Sequence, residues 1–241
     1  MQHPTGRGFD PYETNWMICA TAAAFHRAHM DCSGSLTWIK CLRGAKLWIC
    51  VVPKNGNCLE GSIEDADPDH YDFIYFILEE DHYLTMDPGL VHFVLSLTDS
   101  VTQGGHFYNS EAFEKTMWAR RNEHFYGHVN TNTAHPNNEW ILHTLAIVYH
   151  QELLATFPKW SDKKHSGVKS SEYKAFAEEW IQPRNMASLL VIFVLELREE
   201  SPSTARSILD FSPEIKKAFL EIVKELDTED QPLQTKDSFE I

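Results

Sequence analysis

The stretch FHRAHMDCSG, residues 25–34, sets His26, His29 and Asp31 within six positions of one another. Imidazole nitrogens and carboxylate oxygens are the donors that divalent first-row metals take from proteins. In an extended strand successive side chains alternate faces, so His29 and Asp31 share one face while Met30 points to the other. Two donors do not complete a metal site. A third has to come from another segment, and MDPGLVHFVLSL offers His92 at the start of a strand, just after a Pro-Gly turn. Two histidines and a carboxylate on one side of an ion leave the remaining positions open, the arrangement used by non-haem Fe(II) oxygenases. The spacing alone specifies little, because thirteen histidines supply many such triplets.

The surroundings narrow the reading. HMDCSGSLTWIKCLRGAKLWICVVP and LTMDPGLVHFVLSLTDSVTQGGHFYNSEAF together resemble the JmjC domain. The resemblance is strongest to the histone lysine demethylases that carry a PHD finger or F-box elsewhere in their chains. It runs over residues 16–120 and rests on several motifs in register: the H-x-D pair, a G-x-K before an aromatic, a Pro-Gly segment leading to a histidine, and a Gly-Gly segment before a phenylalanine. It implies a double-stranded β-helix, or cupin barrel, that uses Fe(II), 2-oxoglutarate and O2. Matched position by position, His29, Asp31 and His92 are the iron ligands. Lys46 matches the lysine that grips the far carboxylate of 2-oxoglutarate. Thr37 could lend that carboxylate a hydroxyl, with a β-branched strand residue as its default role, and Trp48, on the same strand face as Lys46, could wall the pocket or belong to the core. The chain departs from the family at two places, with His26 where relatives carry a threonine and His106 where they carry an asparagine. Either imidazole could hydrogen-bond to the cosubstrate.

Such a site would turn 2-oxoglutarate into succinate and carbon dioxide while removing hydrogen from a nearby C–H bond. A hydroxylated N-methyl group then falls apart to formaldehyde, whereas a hydroxylated carbon side chain persists. The resemblance therefore implies a demethylase of histone methyl-lysine, in the nucleus or alternatively the cytoplasm. A protein hydroxylase and a catalytically silent interaction module are the other outcomes.

Strand signals lie between Trp16 and Phe107, in NWMICATAAAF, LTWIKCL, AKLWICVVP, DFIYFIL, HYLTM and VHFVLSL, separated by Gly, Pro, Asn and Asp clusters. Many short strands with turn signals predict a sandwich or barrel. From Ser110 the period becomes helical, in SEAFEKTMWARRNEHF, NEWILHTLAIVYHQELLATF, SSEYKAFAEEWI, RNMASLLVIFVLELREE and SPEIKKAFLEIVKEL. The expected organisation is a mainly β barrel over residues 1–120 and a helical extension over 121–241, with its helices packing on the barrel or forming a homodimer surface.

A formal net charge of −14 speaks against broad phosphate-backbone binding, which needs clustered cations. The acidic run Glu60, Glu64, Asp65, Asp67, Asp69 and Asp72 could attract a basic protein or peptide, though a charge run of this kind is usually a solvated loop; the JmjC resemblance makes a histone tail the implied partner. Cys19, Cys32, Cys41, Cys50 and Cys58 are odd in number with no CxxC pair, so they read as small buried hydrophobes of a reducing compartment. No stretch is apolar for long enough to suggest a membrane span or a secretory leader. His143 and His150, seven apart on an expected helix, read as packing residues. Asp87, Tyr71, Tyr75, Tyr83 and Tyr108 are candidates for the rim of a substrate mouth, with packing as their default role.

Overall fold

The computed structural model describes residues 14–54, 59, 61–127, 130–132, 138, 141–142, 144–145, 183–196 and 213–227. Chain contacts divide it into two compact units, Met1–Trp140 and Ile141–Ile241. The first holds eight strands: β1 (Asn15–Ala20), β2 (Phe25–His29), β3 (Leu36–Arg43), β4 (Ala45–Pro53), β5 (Tyr71–Glu79), β6 (Tyr83–Met86), β7 (Val91–Ser96) and β8 (Ser100–Phe107), followed by helix α1 (Phe113–Tyr126). They form two four-stranded sheets in the orders β1-β8-β3-β6 and β2-β7-β4-β5, and every pairing is antiparallel. Consecutive strands cross from one sheet to the other at every step except β4 to β5, which pair with each other; this is the double-stranded β-helix order, so the protein has the expected cupin fold with helices following the strands.

The alternation of the strands explains the interior. Ile39, Cys41, Trp48, Leu78, Met86 and Val94 are buried and form one cluster, contributed by inward positions of β3, β4, β5, β6 and β7. Two glycines in β8 let aromatic rings lie flat on it. A Cβ on Gly104 would stand 2.3 Å from the Trp16 ring, and one on Gly105 would stand 2.7 Å from Trp38 Nε1. The Gly-Gly pair is therefore a seat for two tryptophans, one on each face of the sheet.

The expected single strand NWMICATAAAF is two strands. Between them Thr21–Ala24 carry the chain from one sheet to the other, with Ala23 at φ 65°. Asp99 Oδ1 accepts from Ala22 N at 2.8 Å, and Ser96 O accepts from Ala23 N at 2.8 Å. A long-range clamp makes this turn, in a segment with no glycine or proline to announce it. Strand β8 was likewise legible only as a motif, because its glycines depress strand propensity.

Helix α1 belongs to the barrel unit. It packs on the turn Cys32–Gly34, where a Cβ on Gly34 would meet Thr116 O at 2.6 Å. Glu123 accepts from Ser33 N at 2.9 Å and from Arg120 Nη1 at 2.7 Å. Described separately, the second unit contains α2 (Pro183–Glu196) and α3 (Pro213–Asp227). They pack on each other through buried Leu189, Leu190 and Ile192 on α2 and Ile215, Phe219, Ile222 and Leu226 on α3, and Arg184 pairs with Glu225 at 2.7 Å. No helix among the described residues is long and apolar enough to cross a membrane. The expected helix over 170–181, most of the one over 138–157, Cys58, His143 and His150 lie outside the described residues. Cys32, Cys41 and Cys50 are buried free thiols, whereas Cys19, expected inside, is exposed.

Candidate metal centre

His29 ends β2, and Asp31 stands just beyond it as the N-cap of the turn Cys32–Gly34. Simple alternation along a strand is not what places them. Phe25 pairs with Leu95 and His26 with Val94, but the next pair is His29 with His92. Three residues of β2 therefore span two of β7, a β-bulge. The extra residue turns His29 inward directly opposite His92; regular pairing would have put Ala28 there. It also lets His26 and His29, three apart, both line the same cavity.

One donor atom from each of His29, Asp31 and His92 falls within 4.8 Å of the others, and His29 Nε2 lies 4.0 Å from Asp31 Oδ1. Both imidazoles are oriented from behind. His29 Nδ1 donates to Arg27 O at 2.7 Å, and His92 Nδ1 donates to Leu90 O at 3.0 Å. Each tautomer is thereby fixed with the proton on Nδ1, leaving a lone pair on Nε2, the second-sphere pattern of metal-binding histidines. Trp48 stacks on His92 with centroids 5.2 Å apart and holds that ring flat. Burial, then the neighbouring His92, keeps the His29 pKa below the ordinary histidine range. His29 is thus neutral and able to ligate at neutral pH.

Asp31 is the hub. Thr37 Oγ1 donates to its Oδ2 at 2.5 Å, and Asn132 Nδ2 donates to its Oδ1 at 3.0 Å. Burial alone would raise its pKa; the nearby His92 and His106, the Thr37 hydroxyl and His29 outweigh that and hold it below the ordinary aspartate range. His106 stands one step further back, on β8 opposite Thr37. Its Nδ1 lies 2.9 Å from Thr37 Oγ1 and 3.2 Å from Ser35 Oγ. The Thr37 proton goes to Asp31 and the Ser35 proton to Cys32 O, so His106 Nδ1 is the donor in this chain of bonds.

Asn132 was invisible to sequence reasoning. It comes from beyond α1, where Asn130–Asn132 lie beside Met30: Met30 N donates to Asn130 O at 2.7 Å, and Asn132 N to Met30 O at 3.3 Å. Asn130 is itself wedged between Gly61 O and Asn122 Oδ1. A run of polar residues a hundred positions away carries no local signal of this role.

Lys46 lies four residues along from the ligand row. On β4, Cys50 pairs with His92, Trp48 with Val94, and Lys46 with Ser96. Lys46 is 4% exposed, and its Nζ donates to Ser96 Oγ at 3.3 Å. Among the described residues no carboxylate lies within ion-pair distance of it. Burial holds its ammonium below the ordinary lysine range. Trp48 Nε1, in the same wall, is a buried donor with no acceptor among the described residues. All seven predicted residues except Thr37 line one cavity of about 1050 Å³, together with Trp16, Trp48, Glu64 and Asn132. Thr37 stands behind Asp31 and is already engaged with it. Asp87, Tyr71, Tyr75, Tyr83 and Tyr108, candidates for the mouth, do not line the cavity. Asp87 pairs with Lys115, Tyr108 donates to Ser33 O, and Tyr71 packs beside the Met30, Leu59 and Val91 cluster.

No protein-family model matches the chain, and no curated protein matches it. Solved structures similar to it include a dTDP-4-dehydrorhamnose 3,5-epimerase from Sulfolobus tokodaii, 18% identical over 39% of this chain and 51% of that one, TM-score 0.30. The cupin domain of Drosophila melanogaster CENP-C is 6% identical over 39% of this chain and 60% of that one, TM-score 0.29. YcfD, a ribosomal oxygenase from Escherichia coli, is 18% identical over 39% of this chain and 22% of that one, TM-score 0.30. The assignment to the cupin fold rests on the strand order given above.

Proposed function

We propose that this protein is an Fe(II)- and 2-oxoglutarate-dependent oxygenase of the JmjC type that acts on a basic protein segment. The observation that carries the reading is a buried ammonium without a carboxylate partner, in the same cavity as two histidines and an aspartate whose donor atoms converge. An unpaired buried charge is costly, and a dianionic ligand removes the cost. Lys46 lies four strand residues, about 13 Å, from the ligand row in the same cavity. A lysine stem and a five-carbon dicarboxylate together span such a distance, with the ligand held by Lys46 at one end and chelated at the other.

The donor set fits a divalent metal. His29 and His92 present bare Nε2 atoms, Asp31 is ionised, and each has a partner fixing its orientation. When bound, iron would supply the activation of O2 and the oxidative decarboxylation of the keto acid. The chain's own residues do the rest. Arg27 O and Leu90 O hold the two rings, Thr37 and Asn132 hold the carboxylate, and Lys46 with Trp48 Nε1 orients the cosubstrate. Trp16, Trp48 and Val94 supply apolar wall to the cavity.

Glu64 at the cavity, with Asp65, Asp67 and Asp69 on the two adjoining turns, favours a cationic substrate. Histone methyl-lysine, with action in the nucleus, is the form of this proposal that the JmjC resemblance supports. The test is succinate formation from labelled 2-oxoglutarate with Fe(II), ascorbate and candidate histone peptides. Wild type is expected to turn over and Asp31→Ala to be silent. Formaldehyde release identifies demethylation, and a stable 16 Da gain identifies hydroxylation. Equal succinate from both proteins refutes the reading.

A further inference from the structure

The acidic rim of the cavity is carried by a segment with little regular structure of its own. Ile63–Asp65 form a single 3-10 turn, and Ile63 and Glu64 line the cavity. Among the described residues, every hydrogen bond that leaves residues 59–66 runs to one of two asparagines. Asn122 Nδ2, on α1, donates to Leu59 O at 3.0 Å and to Gly61 O at 2.8 Å. Asn130 Nδ2 donates to Gly61 O at 2.8 Å, and Asn130 Oδ1 accepts from Ile63 N at 2.8 Å. A further bond from Asn130 Nδ2 reaches Asn122 Oδ1 at 2.6 Å, so both ends of the Asn130 amide are engaged. The side chain is completely buried, where a bond left unmade is costly.

The main chain of the same residue holds the metal side of the cavity. Met30 stands between the ligands His29 and Asp31. Its N donates to Asn130 O at 2.7 Å, its O accepts from Asn132 N at 3.3 Å, and Thr131 makes a parallel bridge with it. Residues 130–132 are thus a short strap laid along the ligand segment. From this strap Asn132 Nδ2 donates to Asp31 Oδ1 at 3.0 Å, while Asn132 Oδ1 accepts from Cys32 N at 3.2 Å. Among the described residues, Asn130 alone hydrogen-bonds both to the rim segment and to the ligand segment.

We propose that Asn130 is a positioning residue of the candidate site: it sets the rim turn against the ligand segment, and so acts through Glu64 on a basic substrate and through Asn132 on the carboxylate of Asp31. The inference rests on the metal and basic-substrate reading given above and adds the link between its two halves. Asparagine suits the place because one planar end offers an acceptor to Ile63 N and two donor hydrogens to Gly61 O and Asn122 Oδ1.

The test uses the full chain, with Co(II) as the metal and a fluorescein-labelled peptide of alternating lysine and glycine as the basic probe. Asn132→Ala is expected to weaken Co(II) binding about tenfold, to shift the visible spectrum of the bound Co(II), and to leave peptide anisotropy unchanged. Glu64→Gln is expected to weaken the peptide about threefold and to leave Co(II) unchanged. Asn130→Ala is expected to show both losses together with the Co(II) spectrum of Asn132→Ala. Hydrogen exchange on the wild type keeps the inference testable if Asn130→Ala does not fold: exchange at Ile63 N, whose acceptor is Asn130 Oδ1, is expected to slow when Co(II) binds. A wild type that binds no Co(II) overturns the metal reading and this inference with it. With Co(II) bound by the wild type, three results overturn the inference alone: an Asn130→Ala that matches wild type in either affinity, one that merely melts lower with an unchanged Co(II) spectrum, or exchange at Ile63 that ignores Co(II).

Discussion

The sheet β2-β7-β4-β5 mixes polar groups into its buried face and carries large apolar side chains on its outer one. Antiparallel sheets ordinarily bury their apolar side and show water their polar one. Here His29, His92, Lys46 and Ser96 stand among Trp48, Leu78 and Val94 on the buried face, while Phe25, Phe73, Tyr75 and Ile77 on the outer face are half-exposed or more. The partner sheet buries Thr37, Thr102 and His106 beside Ile39, Cys41 and Met86, so what sets the two apart is the buried cation Lys46 and the facing pair His29 and His92. Buried polar groups of this kind cost stability, and departures from local consistency mark functional sites. The proposed metal and dicarboxylate are what these buried groups require.

The largest effect is expected at the hub. Asp31→Ala removes one donor and strands the Thr37 hydroxyl and Asn132 amide, so metal content after anaerobic reconstitution should fall to background. Next is Lys46→Met. It should weaken 2-oxoglutarate binding by about 30- to 5000-fold, the range for losing one partner of a buried charge pair, while raising the melting temperature of the ligand-free protein. Burial depresses the Lys46 pKa, so the unfolded chain binds this proton more readily than the folded one. Ligand-free stability should therefore climb as pH rises toward the ordinary lysine value, and Lys46→Met should flatten that climb.

Thr37→Val keeps the shape but removes the hydroxyl between His106 and Asp31. Metal affinity should fall about 10- to 100-fold, as for other residues that orient ligands, and calorimetry with Co(II) would read it. A smaller effect belongs to the histidines. Burial depresses His26 and His29, so the unfolded chain takes up their protons first, and metal-free stability should decline as pH falls below 6.5. Thermal melts between pH 5 and 8 measure it, and His26→Asn should shallow the slope. The smallest change is expected from the outer face, where Tyr75→Arg should leave metal and 2-oxoglutarate affinities within about twofold, keeping the two faces separable.

What could be read from the sequence was local. The H-x-D pair, His92 after its turn and Lys46 before Trp48 are short motifs, and the fold brings them together as expected. The bulge in β2 was not legible, because it is a mismatch between two strands and neither strand alone records it. The same holds for the Thr21–Ala24 turn, which Asp99 and Ser96 impose, and for Asn132, which reaches Asp31 across a hundred residues. Thr37 reads as a hydroxyl for the cosubstrate or as a plain β-branched strand residue, but its shortest bond is to Asp31, a contact made when β3 packs behind the ligand turn. The exposed run in β5 read as an ordinary strand, since a strand's position at the edge of a sheet is a property of topology.

The central claim is tested most directly by anaerobic calorimetry on the wild-type chain, titrating Fe(II) first and 2-oxoglutarate second. One metal per chain, followed by one 2-oxoglutarate whose binding needs both the metal and Lys46, is the predicted result. Binding of 2-oxoglutarate that is indifferent to the metal, or metal binding that persists in Asp31→Ala, would contradict it.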